Sequence, residues 1–114
     1  MGIKCIEAVI RPERLEHLRV QLETVGYPGI TVTETEGHGK QRGVEHSWRG
    51  TTYKTYFVPK VKVSLVVPDA SVKAIVDAII EVCNTGKVGD GKIFIFDVHE
   101  VIRIRTQETG AAAI

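Results

Sequence analysis

The sequence predicts an α+β domain of the split β-α-β, ferredoxin-like kind, ordered β-α-β-β-α-β. A short extra C-terminal strand and a long loop between strands 2 and 3 complete it. Three observations lead there. The first strand is apolar on both faces, so one face meets helices and the other meets something else. Two segments carry helical periodicity, each placed between strand-like runs. Short connections and right-handed crossovers then put both helices on one face of an antiparallel sheet. The 114 residues form a single domain, 1–114, long enough to bury one core.

The elements follow in order. Ile3 to Ile10 is a strand with Ile6, Ala8 and Ile10 on one face and Ile3, Cys5 and Val9 on the other, broken by Lys4 and Glu7. Pro12 suits a first helical position, and Leu15, Leu18, Leu22 and Val25 mark one helical face. Gly26 ends that helix and Tyr27-Pro28-Gly29 turns the chain. Ile30 to Glu36, rich in β-branched residues, is the second strand. Gly37 to Thr55 shows neither period, and a loop of that length in a small domain is usually functional. The third strand runs from Phe57 to Val67 by alternation, with Pro59 at an edge or bulge because it lacks an N–H. Asp69 or Ser71 caps the second helix, whose core face is Val72, Ile75, Val76, Ile79, Ile80 and Cys83. Ile93 to Val98 is the fourth strand, and Val101 to Arg105 adds a short extended piece. The apolar face carrying Ile3, Cys5 and Val9 predicts a homo-oligomer, with closed cyclic symmetry as the default.

Composition narrows the function classes. A net charge of +1 argues against a general nucleic-acid binder, so any anion site is local. Cys5 and Cys83 read as two buried thiols, and His17, His38, His46 and His99 show no metal-ligand spacing. Glu7 and Arg11 interrupt the N-terminal apolar run, leaving no secretory core and no membrane span, which predicts a cytoplasmic protein.

The chemistry gathers in two glycine-bearing loops. Thr85-Gly86-Lys87-Val88-Gly89-Asp90-Gly91-Lys92, within the 84–92 loop, combines glycines, whose N–H groups can approach a phosphate, with lysines that supply charge. The same stretch also reads as a helix C-cap, with Gly86 left-handed, followed by a tight reversal. Its helix-loop-strand order excludes a Walker loop. Gly37-His38-Gly39-Lys40-Gln41-Arg42-Gly43 repeats the combination, and Gln41 carries an oxygen of the kind that ligates hard metals; a plain surface loop is the alternative. Arg103 and Arg105, two apart on an extended segment, project from one face and suit phosphate oxygens, or else mark a solvated strand end. Lys60 and Lys62 share a strand face that reads as solvent-side. Trp48, Tyr53 and Tyr56 in or near the long loop suggest a partner surface.

Taken together, these segments resemble the PII family of nitrogen-regulatory signal proteins over nearly the whole chain. The residues that carry the resemblance are Thr85 to Phe94, Gly37 to Gly43, Pro59-Lys60-Val61-Lys62 and Val101 to Arg105, in matching order and spacing. The resemblance implies a non-enzymatic homotrimer with nucleotide sites between subunits, where ATP and ADP compete. It places Gly37, His38, Gly39, Lys40, Gln41 and Val66 beside the nucleotide and Gly89, Asp90, Gly91 and Lys92 at its phosphates. Arg103 and Arg105, in the 103–114 segment, would come from the neighbouring subunit. It further implies a 2-oxoglutarate site made with Mg²⁺, in which Gln41 ligates the metal and Arg42, Gly43, Lys60 and Gly89 meet the oxo acid. The 37–55 loop would act as effector, with Arg49 plugging an ammonium transporter at the membrane and Thr51 and Tyr53 aligned with modified positions. Nitrogen-metabolism enzymes or a modifying enzyme are the further partners implied, with no nucleic acid.

Two departures stand out. Trp48-Arg49-Gly50-Thr51-Thr52-Tyr53 replaces a pattern that many relatives write Tyr-Lys/Arg-Gly-Ala/Ser-Glu-Tyr. Lys40 stands where arginine is usual, keeping the charge but not the two-pronged geometry. The rival readings are a small phosphoryl-transfer or acylphosphatase-type enzyme on the same fold, with Asp90 orienting water, and an RNA-binding module built on Gly91 to Phe96.

Overall fold

Alternation along the first strand decides which way the sheet faces. In β1 (Ile3–Ile10), Ile6, Ala8 and Ile10 are buried while Ile3, Cys5 and Val9 are half-buried. The computed structural model describes residues 2–27, 29–37, 44–48, 51–55 and 58–114. After β1, a 3₁₀ turn at Pro12–Arg14 leads into α1 (Leu15–Thr24). β2 (Thr31–Gly37) follows, then β3 (Val44–Trp48), β4 (Thr51–Thr55) and β5 (Val58–Pro68). A second 3₁₀ turn at Asp69–Ser71 opens α2 (Val72–Cys83), and β6 (Lys92–Asp97) completes the sheet.

The main sheet has the order β2-β5-β1-β6, and each neighbouring pair is antiparallel. Its core combines Ile6, Ala8 and Ile10 with Val61, Val63, Leu65 and Val67 of β5. Against them pack Leu18 and Leu22 of α1 and Ile75, Ala78, Ile79 and Cys83 of α2. That is the ferredoxin-like architecture expected from the sequence. Pro59 sits where β5 has outrun β1: the β1 register stops at Ile10–Val61, while Glu36 of β2 still faces Pro59. The missing N–H therefore costs no ladder bond on the β1 side.

The structure corrects the sequence reading at several points. The 37–55 stretch is not without elements, since β3 and β4 pair as an antiparallel hairpin and Gly37 belongs to β2. The predicted extra strand after β6 is one isolated bridge, Ile102–Thr109, around a local turn. Neither Asp69 nor Ser71 caps α2 through its side chain. Asp69 instead accepts the Gly2 N–H at 3.0 Å and pairs with Lys4, and Ser71 bonds the Tyr27 hydroxyl. Ala78 takes a core place expected for Ile80, which is 48% exposed on the flank of α2. Cys83 is buried but Cys5 is only half-buried, on the sheet face away from the helices. Pro28, Tyr56 and Phe57 lie outside the described residues.

Candidate functional site

The end of the sheet where β1 stops gathers the charge. Beyond Ile10, β5 continues through Val58, Pro59 and Lys60 with β2 as its strand neighbour, and the turn Arg11-Pro12-Glu13 runs beside it. These six residues line a cleft of about 330 Å³. Lys60 was expected on the solvent side, with Lys62. It is instead 8% exposed, and its Nζ donates to the Gly89 carbonyl at 2.6 Å. Burial, followed by the nearby Arg11 charge, pushes its pKa down. Lys62 stays more exposed, opposite Val9, with its Nζ 3.8 Å from Glu7 on the diagonal. Two lysines that share a strand parity thus differ because Gly89, Gly37 and the Arg11 turn cover Lys60 alone.

Lys60 also joins the two glycine loops. A Cβ at Gly37 would come within 3.3 Å of Lys60 Cγ, so the start of one loop lies on the side chain that grips the other. Gly86, Gly89 and Gly91 all have positive φ, at 80°, 105° and 101°. Gly86 therefore has the left-handed conformation expected after the helix. At Gly91 the reason for glycine is not a ligand: a Cβ there would lie 1.7 Å from the Val9 carbonyl oxygen of β1. The close approach is strand against loop.

Asp90 organises the loop. Its Oδ2 accepts the N–H groups of Thr85 at 2.8 Å and Gly86 at 3.0 Å. Its Oδ1 accepts the Thr85 hydroxyl and Arg11 Nε, the latter at 3.1 Å. Arg11 Nη2 also donates to the Val88 carbonyl at 2.8 Å. The Thr85 hydroxyl, with the backbone donors and Arg11, holds the Asp90 carboxyl far below the usual carboxylate range. A carboxylate so engaged has no lone pair set aside to orient water, which removes the argument for an enzymatic Asp90.

The remaining predicted residues are placed as follows. Lys92 opens β6 opposite Val9 and is exposed. Val66 is half-buried on β5, opposite Cys5. Arg103 and Arg105 do not share a face of a strand. Arg103 folds back to Glu108 Oε1 and the Ile114 carbonyl, both at 3.1 Å, and residues 104–106 form a turn. They follow β6 beyond Asp97, whereas the loop enters that strand at Lys92, and among the described residues Arg103 bonds Glu108 and Ile114 rather than the loop. Thr51 and Tyr53 are β4 residues facing Trp48 and His46 in register. His38, Gly39, Lys40, Gln41, Arg42, Gly43 and Arg49 lie outside the described residues. Sequence reasoning missed Arg11 as a site residue. Its clue was a cation placed directly after the central strand and before Pro12.

The fold and this end of the sheet define an α+β domain whose cations converge on a glycine loop, with a separate hairpin beyond. Comparison with known proteins gives that class its family. The family model for nitrogen regulatory protein P-II matches residues 3–108. Nitrogen regulatory protein P-II 1 of Escherichia coli K12 is 52% identical over 112 residues, covering 98% of this chain and 100% of the relative. The P-II protein of Rhizobium meliloti is 49% identical over the same shares of both chains. The crystal structure of Arabidopsis thaliana PII bound to citrate superposes with a TM-score of 0.80 at 36% identity, covering 98% of this chain and 89% of that one.

The chain belongs to the P-II family of nitrogen regulatory proteins. It is a signal-transduction protein, not an enzyme. Among the described residues no helix is long and apolar enough to cross a membrane.

Proposed function

We propose that this protein works in the cytoplasm as a homotrimer that reads ATP against ADP and 2-oxoglutarate, and reports through the 37–55 segment to an ammonium transporter. Nitrogen-metabolism enzymes and a modifying enzyme acting at Thr51 or Tyr53 are further partners of the same segment. The observation that carries the reading is Lys60, a buried cation bonded to Gly89 and packed under Gly37. The residues present fit the ligands. A loop with two lysines and positive-φ glycines suits phosphates, and a buried ammonium at a cleft suits a carboxylate. The related Arabidopsis protein binds citrate, itself a polycarboxylate.

Gly89, Asp90, Gly91 and Lys92 are assigned to the phosphate side, with Asp90 acting through the loop it shapes. Gly37, His38, Gly39, Lys40, Gln41 and Val66 are assigned to the rest of the nucleotide, and Lys60, Gln41, Arg42, Gly43 and Gly89 to the oxo acid. Arg103 and Arg105 are assigned to a neighbouring subunit's site; within its own chain Arg103 is bonded to Glu108 and Ile114. When bound, Mg²⁺ supplies the positive charge that lets a triphosphate and a dicarboxylate lie side by side, with Gln41 as its protein ligand. Charge-assisted bonds of roughly 1.5–3 kcal/mol each make Lys60 and Lys92 affinity determinants.

Calorimetric titration with ATP, ADP and 2-oxoglutarate, each with and without Mg²⁺, tests the reading. The expected result is 2-oxoglutarate binding that depends on Mg-ATP, with coupling above the usual ~1–3 kcal/mol because the ligands touch. Equal 2-oxoglutarate binding in the presence and absence of Mg-ATP would overturn it.

A further inference from the structure

We infer that Arg11 is the positioning residue of the 84–92 loop and ties the shape of that loop to the occupant of the neighbouring cleft. The inference rests on the nucleotide reading above and adds a residue to it. Arg11 has two faces. It lines the cleft with Lys60, and only 17% of its side chain is exposed. Its guanidinium also reaches into the loop twice, through Nη2 to the Val88 carbonyl at 2.8 Å and through Nε to Asp90 at 3.1 Å.

Those two acceptors bracket Gly89, whose own carbonyl takes Lys60 Nζ. Three consecutive residues are thus held by two cations that also border the cleft. Asp90 passes the constraint on, because its other oxygen accepts the N–H groups of Thr85 and Gly86 at the start of the loop. A planar fork holds two acceptors in a fixed relative geometry, which the freely rotating donors of a single ammonium do not impose. An acid entering the cleft meets two cations already bonded to the loop. It competes with the Gly89 and Val88 carbonyls for them, so cleft and loop report on each other.

Arg14 supplies a matched control, since its Nε donates to the Val82 carbonyl of α2 at 2.8 Å, outside the loop. The test is ATP calorimetry, melting temperature and hydrogen exchange at the Gly86 amide for Arg11→Met, Arg11→Lys and Arg14→Met in the full chain. Arg11→Met is expected to weaken ATP about tenfold or more and to speed Gly86 exchange in the ligand-free protein. Arg11→Lys should fall between, reaching one acceptor. Arg14→Met should lower the melting temperature and leave both other readouts alone. A cycle with Asp90→Asn should give a combined loss smaller than the product of the single losses. Wild-type affinity and Gly86 exchange in Arg11→Met, or equal losses in Arg14→Met, would overturn the inference. If the wild type takes up no ATP while Gly86 exchange still responds to Arg11, the nucleotide reading falls and the positioning role stands.

Discussion

At Asp90 four donors converge on one carboxylate: the Thr85 N–H and hydroxyl, the Gly86 N–H and Arg11 Nε. Its folded pKa lies below the unfolded value, so between the two the unfolded chain binds more protons and stability falls as pH falls. The contribution is complete above about pH 4 and is lost progressively below it. Denaturant titrations of wild type and Asp90→Asn are therefore expected to differ by a constant amount from pH 7 to pH 5 and to converge in more acidic solution. Gly91 makes a second residue-scale prediction. Alanine there meets both a positive φ and the Val9 carbonyl, so Gly91→Ala should cost more than the ~1–3 kcal/mol of backbone strain alone, read from urea unfolding. Lys60→Met keeps the buried stem and removes the charge; calorimetry should show 2-oxoglutarate binding weakened by about tenfold or more with the fold retained.

Elements differed in how plainly the sequence announced them. α1, α2, β1 and β5 bury a face, and burial imposes a period on residue type, while β6 shows as an apolar run. The β3–β4 hairpin pairs through its backbone outside the main sheet, and such a ribbon requires no apolar face, so periodicity gave no sign of it. The Ile-Arg-Ile-Arg run of 102–105 erred the other way. It alternates as a strand does, yet its backbone bonds are local: Gln107 N–H to the Arg103 carbonyl and Arg103 N–H to the Glu108 carbonyl. Among the described residues no strand pairs with it beyond the single Ile102–Thr109 bridge, and Ile104 is 95% exposed at the turn. The helices yield a prediction of their own. Leu22 is fully buried between α1 and the sheet, and Leu22→Ala should cost about 2–5 kcal/mol by urea unfolding.

The whole molecule leaves one sheet face unfinished. Phe94 and Phe96 are 46% and 48% exposed there, beside half-buried Cys5 and Val66. In the proposed homotrimer a second copy would cover that face and carry Arg103 and Arg105 to another chain's loop. The prediction is complementation. Lys92→Ala and Arg103→Ala should each lose nucleotide affinity alone, while refolded 1:1 mixtures recover binding at about a quarter of the sites, by random association. No recovery, measured by calorimetry on mixtures shown to have exchanged subunits, would put both residues in sites of one chain.

The sequence by itself determined the order of the main elements, the two-faced first strand and the glycine-lysine composition of the loop. Each is a local property, set by side-chain period or by the backbone freedom of glycine. Only the tertiary structure decided what the charged residues do. Lys60 is buried because Gly89 and Gly37 close over it, and Arg11 became a loop anchor because Val88 and Asp90 arrive there from across the fold. Gly91 proved to serve the contact with Val9, and Asp90 to shape its own loop. Those roles depend on which distant segment lies within three ångströms of a side chain, and local sequence patterns do not encode that proximity.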